Sequence, residues 1–210
     1  MTSSAIEIQG PRLFNGRAVL IVCAFGLLLV IPVLLAMLIV SSFQFGIWTI
    51  LIPLAAIGLA TLLLPFGFGN TYVARMVRTL RPADWPEADS FIVQITLAPR
   101  ICSGFRAVVE DADDVGWLNL GASGLGFVGD SVRFSIPYSS IRDLSSRTIG
   151  LRGLFVYPCL TLSVSGLSGV QELRIAERSG WFLGKSRSNT RKLCDRLKQE
   201  RESASAGAGP

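Results

Sequence analysis

The sequence contains no histidine, so the most common general base and metal ligand of proteins is missing. It also contains no GxxxxGKS/T, HExxH or GxSxG motif. Four cysteines, too widely spaced for a structural zinc site or a disulfide framework, are present: Cys23, Cys102, Cys159 and Cys194. We therefore expect no catalytic residue, no cofactor and no bound metal, and we predict that the protein is not an enzyme.

Charged residues are absent from Ala18 to Ala74, and most of this stretch is aliphatic. Because about 20 apolar residues cross a bilayer once, the stretch is long enough to cross twice. Its only polar interruption is Ser41–Gln44, which predicts a transmembrane helical hairpin with spans Val19–Val40 and Phe45–Phe66. A cleaved signal peptide fits less well, because the first apolar core is too long. A hairpin buried inside a soluble domain would leave too little chain to enclose it.

The arginines beside this stretch predict its orientation. Arg12 and Arg17 precede the first span, and Arg75, Arg78 and Arg81 follow the second, whereas the intervening turn is uncharged. The positive-inside rule then places both termini in the cytoplasm, as in a multi-pass protein of the cytoplasmic membrane. The last three arginines are possible membrane-surface contacts at the level of the lipid headgroups.

The overall charge agrees with a lipid bilayer as one partner and argues against nucleic acid as another. The chain has 20 Lys and Arg against 15 Asp and Glu, a net charge of +5. Much of this excess comes from the arginines that flank the spans, so no dense basic face is expected elsewhere. Since the spans hold no ionisable side chain, an ion or proton pathway is also not expected.

After Pro86 the pattern changes to short apolar runs separated by glycine, which is typical of antiparallel strands. Gly129-Asp130 predicts a tight turn between two of these runs, and Ser188 is the predicted N-cap of a closing helix. That helix places Leu193, Cys194 and Leu197 on one side. The predicted strands are Phe91–Leu97, Trp117–Leu120, Leu125–Val128, Val132–Ile136, Ile141–Ile149, Leu154–Val164 and Val170–Ala176.

The stretch from Gly124 to Ile141, read as GLGFVGD followed by IPYSSI, resembles a hairpin of pleckstrin-homology-like domains, including the GRAM type. The resemblance covers about Phe91 to Arg201 and implies a small β-roll closed by a helix. Phosphoinositide-binding members place several basic residues in and after the first strand, but here only Arg100 and Arg106 follow it. The whole chain also resembles small bacterial membrane-anchored proteins of a kind seen in planctomycetes.

Two local patterns suggest ligand binding but have simpler explanations. Gly124 to Gly129 matches GxGxxG, yet a predicted strand follows it where a dinucleotide site needs a helix. Glu110, Asp111, Asp113 and Asp114 form an acidic cluster that can suggest a divalent cation. A solvated acidic helix end, or charge pairing with Arg106, explains this cluster better than a metal does.

The predicted fold class is α+β: a two-helix transmembrane hairpin, then a small, mostly antiparallel pleckstrin-homology-like β-roll with a C-terminal helix. The expected parts are a cytoplasmic N-terminal segment (1–17), the hairpin (18–69), a juxtamembrane helix and linker (70–90), the cytoplasmic domain (91–202) and a disordered tail (203–210).

The predicted function is that of a non-catalytic, membrane-anchored adaptor whose β-roll binds a protein or peptide. The alternatives are lipid or membrane-surface sensing through Arg75, Arg78 and Arg81, or an accessory subunit of a membrane enzyme. An adaptor predicts an apolar groove between the last helix and a strand edge. If the protein is a lipid sensor, we expect an opening lined by basic residues at one end of the roll. If it is part of an enzyme, we expect polar groups that converge in a pocket.

Overall fold

The computed structural model describes residues 6–9, 24, 31–39, 42, 46–63, 70–101, 112–151, 155–167, 169–180 and 183–207. Its helices are α1 (Trp48–Leu63), α2 (Asn70–Val77) and α3 (Leu183–Gly207), and residues 31–39 are also helical. Three 3-10 turns occur at Arg78–Leu80, Glu87–Asp89 and Tyr138–Ser140. The strands are β1 (Glu7–Ile8), β2 (Ser90–Ala98), β3 (Asp114–Leu120), β4 (Gly124–Gly129), β5 (Val132–Pro137), β6 (Ile141–Leu151), β7 (Phe155–Leu167) and β8 (Val170–Glu177).

All eight strands form one antiparallel sheet in the order β1-β5-β4-β3-β2-β8-β7-β6. Most strands pair with their neighbours in sequence, as expected for short strands joined by tight turns. The Gly129-Asp130 dipeptide lies at the turn between β4 and β5, where the sequence predicts one. The short strand β1 comes from the N-terminal segment and pairs with β5, with Glu7 opposite Arg133 and Ile8 opposite Val132.

The core lies between the inner face of the sheet and α3. Strands β4 and β5 alternate buried and more exposed residues, so that side chains such as Phe127 and Phe134 point inward. These two rings stack with their centroids 5.1 Å apart. On α3, Leu193, Cys194 and Leu197 are buried in the same cluster, as their spacing predicts. The helix begins at Leu183 instead of after Ser188 and continues through Gly207, beyond the predicted start of the tail at Ser203.

The segment of residues 70–90 covers part of the outer face of the sheet. Helix α2 buries Val73 and Val77, and the indole Nε1–H of Trp117 on β3 donates a hydrogen bond of 2.8 Å to the Val77 carbonyl. The Arg81 guanidinium lies 5.5 Å from the centre of the Trp117 ring. The segment predicted as a juxtamembrane helix is thus packed on the sheet through Trp117.

The predicted two-helix transmembrane hairpin followed by a small β-roll is wrong: the structure has an eight-stranded antiparallel sheet. Within the ranges that the structure describes, no helix is both long and apolar enough to cross a bilayer. The same finding overturns the predicted membrane character of the chain and its multi-pass localisation with both termini in the cytoplasm. Much of the first predicted span, and residues 64–69 at the end of the second, lie outside the described residues.

The physical reason lies in helix length. The absence of charge shows that this stretch is hydrophobic, but it does not determine where a helix begins and ends. Helix α1 has 16 residues and follows Gly46, which has a left-handed φ of 57° that a helix does not accommodate. At 1.5 Å per residue, Trp48–Leu63 extends about 24 Å, less than the roughly 30 Å of a hydrocarbon core, and the residues that follow, 64–69, lie outside the described part of the chain. Apolar side chains such as Leu38 and Trp48 are more than half exposed.

Candidate functional site

A groove of about 500 Å³ lies on the outer face of β4 and β5, on the side of the sheet opposite the core. Trp85 forms one wall of this groove, and Glu7 and Arg133 lie at the strand pair β1–β5. The remaining side chains that line it are small or neutral. Among them are Asn119, Ser123, Val128 and Ser135, together with the glycines Gly121, Gly124 and Gly126.

Glycine at position 126 makes room for the tryptophan wall. Gly126 faces outward on β4, and a Cβ atom built there would lie only 3.1 Å from the Cζ2 atom of Trp85. The indole therefore lies directly against the strand backbone, as when an aromatic ring covers a glycine in a sheet. A turn that includes a hydrogen bond from the Trp85 N–H to the Pro82 carbonyl, at 3.2 Å, holds this segment in place. The wall and the floor of the groove are thus built by residues 41 positions apart in sequence.

Arg133 supplies a positive charge to the groove. The alternation along β5 points Arg133 and Ser135 outward, with Arg133 between Val128 on β4 and Glu7 on β1. The Nε atom of Arg133 is buried and has no hydrogen-bond partner in the part of the chain that the structure describes. The Glu7 carboxylate instead accepts a hydrogen bond of 2.5 Å from the Gln9 side chain. A buried guanidinium N–H without an acceptor is an unusual feature in a folded protein, and Arg133 is one of the residues that line the groove.

Asp114 fixes the turn that leads into β5. This residue is 1% exposed, and its Oδ2 accepts hydrogen bonds from the backbone N–H groups of Ser131 at 2.8 Å and Val132 at 2.7 Å. Its Oδ1 accepts one from the N–H of Val115 at 2.8 Å. Burial raises the pKa of Asp114 to about 6, although the three backbone hydrogen bonds act in the opposite direction. This carboxylate therefore fixes the backbone at the start of β5, directly before Arg133.

Asp113 ties the end of β2 to the start of β3. Its Oδ2 accepts a hydrogen bond of 2.7 Å from the N–H of Leu97, and its Oδ1 accepts one of 3.1 Å from the N–H of Ile101. The Arg100 Nε lies 3.5 Å from the same Oδ1. The prediction of a solvated acidic helix end is therefore wrong for Asp113 and Asp114, which are buried structural acceptors.

The rest of the predicted acidic cluster, Glu110 and Asp111, lies outside the described residues. In the part of the chain that the structure describes, no group of three His, Cys, Asp or Glu side chains is placed to hold a metal ion. The GxGxxG match forms strand β4, and β5 follows it, so it is not the strand–helix turn that a dinucleotide site requires.

A second buried polar cluster joins α2, the end of β8 and the start of α3. The Glu177 carboxylate accepts hydrogen bonds from the backbone N–H of Ser179 at 2.8 Å and from the Ser179 hydroxyl. The Asn70 side chain donates one of 2.5 Å to the Gly180 carbonyl. Burial raises the pKa of Glu177. The Ser186 hydroxyl on α3 donates a hydrogen bond of 3.4 Å to the Glu177 carbonyl, so these bonds hold both helices near the end of β8, and we assign this cluster a structural role.

The three predicted membrane-surface arginines do not form one site. Arg75 and Arg78 are exposed, whereas Arg81 is half-buried over Trp117 and lies 3.8 Å from the Glu87 carboxylate. The structure thus assigns Arg81 to packing on the sheet. The sequence alone does not identify Trp85, Glu7 or Arg133 as site residues, because they come together only through strand pairing and the fold of residues 70–90.

No family model, curated protein or solved structure matches this chain. The resemblance to pleckstrin-homology-like domains therefore stays a prediction. The function has to be argued from the groove itself.

Proposed function

We propose that this chain is a non-catalytic binding protein that holds an extended segment of a partner protein in the groove along β4 and β5. The observation that carries this proposal is the groove of about 500 Å³ with Trp85 as its wall, beside the outer edge of β5. Large aromatic side chains in grooves are frequent anchors of protein–protein contacts. Lipid-surface sensing has less support, because Arg133 is the single basic residue among the described residues that line the groove.

The edge of β5 supports an extended partner. On its outer edge, β5 pairs with β1 through Val132 and Arg133 only. In the described part of the chain, no strand pairs with the outer edge of Ser135–Pro137. A peptide in the β conformation can add to such an edge through its main chain, and the adjoining groove then holds its side chains. The sequence predicts a groove between the last helix and a strand edge, whereas this groove lies on the outer face of β4 and β5.

The experiment selects peptides from a random dodecapeptide phage library on the full-length protein and measures the Kd of the best binders. We expect Trp85→Ala to weaken the selected peptides by about tenfold or more, because it removes the aromatic wall. Trp48→Ala is the matched control, since Trp48 is 59% exposed and does not line the groove. If no selected peptide depends on Trp85, or if W48A weakens binding equally, the proposal is wrong.

A further inference from the structure

The unpaired guanidinium of Arg133 indicates which partner segment the groove fits. Its Nε atom is buried without an acceptor, whereas a buried N–H of a charged group is normally hydrogen-bonded. Among the described residues that line the groove, Arg133 and Glu7 are the charged ones. An incoming acceptor would therefore find one cationic donor beside one carboxylate, that of Glu7, among neutral residues.

Glu7, the acidic residue that pairs with Arg133 across the strands, makes its hydrogen bond to another residue. Glu7 lies directly opposite Arg133 in the β1–β5 pair, a position at which opposite charges commonly form an ion pair. Its carboxylate accepts a hydrogen bond from Gln9, and no ion pair links it to Arg133 among the described residues. The acceptor that Arg133 lacks is thus not supplied by its cross-strand neighbour.

We propose that the bound segment carries an Asp or Glu whose carboxylate pairs with the Arg133 guanidinium while the segment lies along β5. This inference rests on the proposed function and names the chemistry of the partner: an extended, acidic stretch of another protein. A carboxylate fits best because the planar guanidinium binds its two oxygens through parallel N–H···O bonds. The exposed side chain of Ser135 and the wall of Trp85 leave room for neutral residues on either side.

The test compares acidic and neutral versions of the same peptide. From the peptides selected on the full-length protein, the strongest Trp85-dependent binder is synthesised with each Asp or Glu replaced in turn by Asn or Gln. We expect one replacement to weaken binding to the wild-type protein about tenfold or more, as for a charge-assisted pair. That difference should disappear in Arg133→Gln.

Arg142→Gln is the matched control, because Arg142 is exposed on β6 and its substitution removes the same charge away from the groove. It should retain the full preference for the acidic peptide. Arg133→Lys keeps the positive charge and the aliphatic chain but loses the planar guanidinium, so it should keep only part of the preference for the acidic peptide. This variant replaces R133Q in the test if R133Q alters the fold. Glu7→Gln should strengthen acidic peptides, since it removes the neighbouring negative charge.

The outcomes separate this inference from the proposed function. If peptides bind in a Trp85-dependent way but tolerate every acid-to-amide replacement, the inference is wrong and the proposed function stands. If R142Q abolishes the preference as fully as R133Q, the effect is general electrostatics and the inference is also wrong. If no Trp85-dependent peptide is selected, both proposals are wrong.

Discussion

Replacement of Asp114 by asparagine tests how the turn before β5 is stabilised. Burial raises the pKa of this carboxyl group from its ordinary value of 3.8 to about 6 in the folded protein. A carboxyl group whose pKa is raised by folding stabilises the folded state below its unfolded pKa, and this contribution is lost as the pH rises through about 6. The shift corresponds to about 3 kcal/mol over the full titration, of which about 2.5 kcal/mol falls between pH 4 and pH 7.

Asp114→Asn keeps the shape of the side chain but cannot ionise. We therefore expect the free energy of unfolding of the wild type to fall by about 2.5 kcal/mol relative to D114N between pH 4 and pH 7. Urea unfolding of both proteins at several pH values measures this difference. Asp195→Asn, at an exposed position of α3, controls for the loss of one carboxylate. If the wild type instead gains stability over D114N as the pH rises, the three backbone hydrogen bonds outweigh burial and the reasoning is wrong.

Three further changes test other contacts of the fold through the free energy of unfolding. Gly129→Ala should destabilise the protein by about 2–3 kcal/mol, because its Cβ would lie 2.6 Å from the Phe127 ring and against the Asp114 carboxylate; unchanged stability would contradict this packing. Trp117→Phe should cost about 1 kcal/mol by removing the indole hydrogen bond to the Val77 carbonyl; a stability equal to that of the wild type would argue against the contact. Glu177→Gln should gain stability over the wild type as the pH rises, since burial raises the pKa of Glu177; a change of opposite sign would refute the direction.

The strands could be predicted from the sequence because apolar runs and turn residues act locally. The predicted run Phe91–Leu97 lies within β2, and Val132–Ile136 lies within β5. Glycine-containing turns lie between these two strands in the sequence. The alternation along β5 also indicates that Arg133 points away from the core. These patterns depend only on neighbours along the chain, so a single sequence contains them.

The groove could not be predicted in the same way. Its wall and its floor are distant in sequence, and Glu7 joins them through a two-residue strand that has no periodicity to recognise. The buried carboxylates Asp113 and Asp114 looked like solvated charges because composition does not reveal which backbone N–H groups surround a side chain. The predicted hairpin failed for a similar reason, since hydropathy does not fix where α1 begins, after the turn at Gly46.

Hydrogen exchange of the full-length protein, with and without a selected peptide, tests the central claim most directly. If the groove along β4 and β5 binds an extended partner segment, the peptide should slow exchange in fragments that contain Val132–Pro137 and Trp85. Exchange should be unchanged in fragments from β7, which lies toward the opposite edge of the sheet from β5. Protection that is confined to β6 and α3, with none in β5, would contradict the claim.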